Sequence, residues 1–266
     1  MAWKNKKNEA HTAPEHTSVV ISPETQNEML KVTQSAAAHP MSGKYGANVL
    51  DRALLSATSF SADKVKRYVD GVRRKNPHAS PEQIIAILSS TFKKLLQSTG
   101  GAVGASAAIP AVGTTTALVL TAADLSAFFA AASLYSLAVA EVYGMDTDDP
   151  ERRKALLLAT VLGDQGAKTV SGFGNVPLAR WGTALMTSMP KSSIKQVNKV
   201  LTSRFIKRKL ATHSGLALGR VAPFGIGAAV GIAGGRALAH TVIHQAQKAF
   251  GPAPSQFARD LEPVIL

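Results

Sequence analysis

Between Lys94 and Glu141 the chain carries a single formal charge, Asp124, although the whole sequence holds 30 Lys plus Arg and 17 Asp plus Glu. A long window this poor in charge and rich in Ala and Gly is suited to enclosure, either against other helices or against lipid. A second apolar segment, Val221 to Gly235, follows the most basic part of the chain. Aromatic residues make up only 6% of the sequence. Small side chains therefore dominate both segments, which favours close-packed helices over a β-sandwich rich in β-branched and aromatic residues. The expected fold is all-α. It is a multi-helix bundle with a central Gly/Ala-rich apolar helical hairpin over residues 102–142 and a second glycine-rich apolar helix.

Start and stop signals divide the chain. Residues 1–20 are polar and without periodicity, and read as a disordered arm. Ser22-Pro23-Glu24 opens a helix to about Ala38, and a second spans Ala47 to Thr58. Ser61 caps a third, Ala62 to Lys75. Ser80-Pro81-Glu82-Gln83 combines cap, proline and capping-box glutamine. Ile84, Ile85, Ile87, Leu88, Phe92, Leu95 and Leu96 follow it at helical spacing, up to a stop at Gly100-Gly101. Asp124 is expected to cap an apolar helix, Leu125 to Tyr143. Asp149-Pro150-Glu151 starts another to Leu162, and residues 163–175 read as a Gly-rich loop. Further helices are expected at Val176 to Met189, Ser192 to Leu210 and Arg236 to Phe250. No stretch alternates with period two, and no repeat of fixed length occurs. Residues 21–250 read as one domain, and 251–266 as a loose tail.

Charge is segregated. The net formal charge is +13, and residues 191–220 hold eight basic residues and no acid. These include Lys195, Lys199, Arg204, Lys207, Arg208 and Lys209, the expected contacts to lipid headgroups. A polybasic segment beside an apolar one docks proteins on anionic leaflets at about 1 kcal/mol per basic residue. Base-stacking aromatics are scarce, with Phe205 alone in the cluster, so anionic lipids are preferred to nucleic acid as the partner. Spanning a bilayer takes about 20 apolar residues. Leu125 to Ala140 falls short of that, and Ala102 to Ala123 is diluted by Gly, Thr and Pro110. A surface-inserted or buried hairpin fits better than a spanning one. In the second segment Gly227, Gly231 and Gly235 recur every four residues, baring one helix face for close helix packing, within the chain or with a membrane-protein or self partner.

The stretches Thr99-Gly100-Gly101-Ala102-Val103-Gly104, Ala123-Asp124-Leu125, Glu141-Val142-Tyr143-Gly144-Met145-Asp146 and Asp149-Pro150-Glu151-Arg152 together resemble the EcsC protein family. The similarity covers roughly residues 60–250, with its specific part at about 90–165. Ser126 stands where the family tends to have proline. The resemblance implies a bacterial helical protein near the membrane, without an established reaction.

Catalytic and metal chemistry find little purchase. The chain has no cysteine, hence no disulfide, thiolate site or Cys nucleophile. Gly-x-Ser-x-Gly is absent, and Gly172-Phe173-Gly174 lacks the lysine and threonine of a phosphate loop. Asp146, Asp148, Asp149 and Glu151 do not meet the EF-hand spacing, and cap duty fits them. His240 and His244 have two-ligand spacing, but Thr241 replaces the glutamate of a hydrolytic motif, and only His213 offers itself as a third ligand. No metal or cofactor is expected. Asp124, alone in its apolar window, is the candidate buried carboxylate. Without a recognisable leader, the expected place is the cytoplasmic side of the cell membrane, peripheral or partly inserted. The function read from these features is non-enzymatic membrane association, accessory to transport or membrane homeostasis. The alternative is a soluble helical enzyme or ligand-binding module in the cytoplasm, with a pocket around Asp124.

Overall fold

The computed structural model describes Leu54, Ala57, Thr58 and residues 60–106, 114–216 and 226–261; side chains are described for these except 99–106, 114–126, 208–216 and 226–233. The arm at 1–20, the helix expected over 22–38 and most of that over 47–58 lie outside the described residues. Those that are described form eight helices and no strand. They are α1 (Ala62–Lys75), α2 (Pro81–Ser106), α3 (Thr114–Val142), α4 (Pro150–Leu162), α5 (Asp164–Gly174), α6 (Trp181–Thr187), α7 (Lys191–Leu216) and α8 (Ile226–Phe250). The protein is an all-α bundle.

Local chemistry sets several starts as the sequence foretells. Ser61 accepts from the Lys64 amide at the head of α1. At α2 the capping box closes both ways: the Ser80 amide donates to Gln83 Oε1 at 2.8 Å, and the Gln83 amide to Ser80 Oγ at 3.3 Å. Asp149 Oδ1 accepts from the Glu151 amide at 2.9 Å, with Pro150 in the first helical position of α4.

Elsewhere tertiary packing overrides the local signals. Helix α2 runs through Gly100-Gly101 to Ser106, and α3 begins at Thr114. Asp124 is therefore well inside a continuous helix and does not cap one; its side chain lies outside the described residues. The hairpin's two arms are α2 and α3, so the chain does not turn at Asp124. The Gly-rich stretch after Leu162 is helical as α5, because Gly166 lets α5 cross α4 with its Cα against the Ala159 carbonyl, where any Cβ would clash. The helix expected to begin at Arg236 starts at Ile226 and takes in residues 226–235 of the second apolar segment, whose first five residues lie outside the described ones.

The core forms around α3, whose residues Phe129 to Ala140 are buried throughout. Tyr135 stacks on Phe92 of α2 at 4.8 Å and shares a 2.9 Å hydrogen bond with Ser89. Burial raises the pKa of its hydroxyl strongly. Helix α8 runs antiparallel to α2. Its Gly235 sits against the Leu96 carbonyl, while at its other end Phe250 meets Tyr143 at 5.2 Å. The Tyr143 hydroxyl donates to the Gly251 carbonyl at 2.6 Å. Burial raises that hydroxyl's pKa, with Arg180 opposing and Glu82 adding to it, so the start of α2 lies beside the end of α8. Phe129 to Ala140 of the apolar window are enclosed by protein. Among the described residues no helix is long and apolar enough to cross a membrane.

The segment after α8 is docked where the sequence suggested a loose tail. Gly251 turns the chain at φ +82°. Arg259 then reaches Asp70 Oδ1 at 2.8 Å and Glu141 Oε1 at 2.9 Å, tying α1 to α3. Phe257 lies under the Arg73 guanidinium at 3.9 Å. Helical periodicity cannot reveal such an anchor, because a lone arginine in an irregular segment looks solvated.

Candidate functional site

Helix α7 is two-faced. Ile194, Val197, Leu201 and Phe205 are buried, Phe205 against Phe129 of α3 at 5.2 Å. Lys195, Lys199, Arg204 and Lys207 are exposed on the rest of the helix. The helix is seated by Asn198, whose Nδ2 donates to the Glu151 carbonyl at 3.0 Å and to Glu151 Oε2 at 2.7 Å. The neighbouring residues of α4 are clamps as well. Arg152 donates to the Leu185 and Met189 carbonyls at the end of α6, and Arg153 to the Phe60 carbonyl. The Asp149-Pro150-Glu151-Arg152 stretch thus has a full structural occupation.

Two concavities flank α7. The first, about 660 Å³, runs between α4 and α7 and is lined by Lys154, Lys195, Lys199 and Lys207, with Asn198, Thr202 and Ile206. Its one acid, Glu151, is engaged by Asn198. Ile206 keeps 39% of its surface exposed between the lysines. The result is a cationic groove with an aliphatic patch and no free general base.

The second concavity, about 820 Å³, lies between α5, α7 and α8 and is lined by Asp164, Gln165, Arg204, Lys207, His240, His244 and Gln245, among others. Arg204 Nη1 donates to Thr169 Oγ1 at 2.7 Å, which fixes the guanidinium on the wall. Asp164 accepts from Gln245 Nε2 at 2.9 Å and faces Lys248 Nζ at 3.4 Å. These two partners, Gln245 first, hold its carboxyl below the ordinary aspartate value.

The residues expected to contact lipid headgroups are thereby divided between two clefts. Lys195 and Lys199 line the first groove, Arg204 the second, and Lys207 both. Arg208 and Lys209 continue α7, but their side chains lie outside the described residues. So do Gly227 and Gly231; Gly235 packs on α2 of the same chain. His240 and His244 stack with ring centroids 6.3 Å apart. No cluster of three or more metal-ligating side chains occurs among the described residues. Sequence reading missed Lys154, Ile206 and Gln245. Lys154 is contributed by another helix, and the other two carry no motif, so only the fold brings them to the clefts. No family model matches this chain, and no curated protein or solved structure does.

Proposed function

We propose that this protein is non-enzymatic and docks peripherally on the anionic inner face of the cytoplasmic membrane, with the α4–α7 groove toward the lipid headgroups. The observation that carries this reading is the gathering of Lys154, Lys195, Lys199 and Lys207 around one groove that holds no free acid. At about 1 kcal/mol per basic residue near a leaflet, four lysines supply about 4 kcal/mol, on the order of a thousandfold in partition. Exposed Ile206, in the same lining, adds an aliphatic contact. The enclosure of Phe129–Ala140 in the core supports surface docking over insertion of that segment. The EcsC resemblance is in keeping with a bacterial protein accessory to transport or membrane homeostasis.

Co-sedimentation of the full chain with vesicles tests this. Binding to phosphatidylglycerol-rich vesicles should fall steeply with salt and be absent on neutral phosphatidylcholine. Changing Lys154, Lys195 and Lys199 together to Gln should weaken partition about a hundredfold. Unaltered partition of that variant would overturn the reading.

A further inference from the structure

We propose that the cleft between α5, α7 and α8 is a binding site for a dianionic phosphate monoester group. It is separate from the headgroup groove and does not depend on it, sharing only Lys207 along one edge.

Two features converge on that chemistry, and a third bears on the organic part of the ligand. The first is fixed positive charge. Arg204 is held on the wall by Thr169 Oγ1, and Lys207 stands beside it. Asp164 is the only acid in the lining, and Lys248 faces it at 3.4 Å. The cleft is left with two uncompensated cations, which match the two charges of a monoester. The second is the start of α5. Its N-cap is Gly163, at φ +70°, and no side chain caps the helix. Gly163, Asp164 and Gln165 line the cleft, so the positive end of an eleven-residue helix opens on it. Asp164, in the first turn of α5, has its carboxylate engaged by Gln245 Nε2 at 2.9 Å. The third is Gln245 itself. It is 3% exposed, lines the cleft and keeps Oε1 without a partner. A buried acceptor of this kind is normally satisfied, and a hydroxyl on the organic part of the ligand would supply the donor that the phosphate dianion itself lacks.

His240 and His244 add ring N–H donors from successive turns of α8, their planes within 8° of each other. About 820 Å³ is more than a phosphate fills, leaving room for the organic part of a monoester. That organic part can belong to a soluble metabolite or to a lipid such as phosphatidic acid.

Calorimetry on the full chain separates these sources and tests the site. Glycerol 3-phosphate is the soluble probe, with sulfate at matched ionic strength as comparator. Phosphatidic acid vesicles, set against phosphatidylglycerol vesicles, are the lipid probe. Arg204→Gln should weaken monoester binding at least tenfold, and His240→Gln, at an exposed position that leaves folding intact, several-fold. Lys195→Gln in the neighbouring groove should leave it unchanged. Sensitivity to these changes with glycerol 3-phosphate assigns a soluble ligand, and with phosphatidic acid alone a lipid one. The proposal is overturned if neither probe binds, if sulfate binds as tightly as glycerol 3-phosphate while phosphatidic acid gains nothing over phosphatidylglycerol, or if Lys195→Gln weakens binding as much as Arg204→Gln. Loss of vesicle docking in the triple lysine variant with glycerol 3-phosphate binding intact would refute the headgroup reading and leave this one standing.

Discussion

Two charged regions of the molecule are built on opposite rules. Beneath the docked C-terminal segment, Asp70, Glu141, Arg73 and Arg259 alternate in sign and are partly or wholly withdrawn from water. Along α7, cations stand exposed around a groove whose single acid is already engaged. Paired, buried charge ties elements together, because removing one member strands the other in a poor solvent. Unpaired, exposed charge does little for the fold and keeps its field for a partner. The net charge of the chain says nothing of this division; the positions of the few acids do.

Substitutions in each region should therefore separate stability from binding. Arg259→Ala leaves Asp70 buried and facing Arg73 at the longer distance of 3.9 Å. A cost of about 3 kcal/mol is expected, a fall in melting temperature of roughly 6–12 °C for a domain of this size, with vesicle partition unchanged. The triple lysine-to-glutamine variant of the α4–α7 groove should do the reverse, losing partition while its melting temperature moves by no more than about 2 °C.

Neighbouring glycines in α8 sharpen the distinction between packing and exposure. A Cβ at Gly235 meets the Leu96 carbonyl of α2, whereas one at Gly234 meets nothing within 4 Å. Gly235→Ala should destabilise by about 1–3 kcal/mol, and Gly234→Ala should stabilise by up to about 1 kcal/mol through helix propensity. Denaturant midpoints report both signs.

The smallest effect belongs to Asp164. Its carboxyl is held below the ordinary value by Gln245 and Lys248, so its contribution to stability is present above the unfolded carboxylate pKa of about 3.9. That contribution is lost as pH falls through the lower folded value. Asp164→Asn should accordingly melt below the parent at neutral pH and converge with it in strong acid.

Legibility in the sequence follows the range of the forces involved. Caps at Ser61, Ser80 and Asp149 act within a few residues and could be read directly. So could the stripe from Ile84 to Leu96, which is buried as its spacing predicts. Helix ends written by glycine could not. Gly100-Gly101 sit inside α2. Gly166 sits inside α5 where the α4 backbone approaches it, and propensity does not see a neighbour. Asp124 looked like a cap because an isolated acid in apolar surroundings needs a reason. In the fold, α3 passes through it from Thr114. The basic character of α7 was plain from composition, but its division into two clefts depends on Lys154, His240 and Gln245 arriving from other helices.

Site-specific environment sensing tests the docking geometry most directly, and the absence of native cysteine makes it practicable. An environment-sensitive fluorophore on Ser203→Cys, in the lysine groove, is compared with one on His78→Cys, in the exposed loop between α1 and α2. On adding phosphatidylglycerol vesicles, the label at 203 should shift to the blue and the label at 78 should not, with both unchanged on phosphatidylcholine. Equal responses at the two positions, or no response at 203, would contradict an α7-first approach to the membrane.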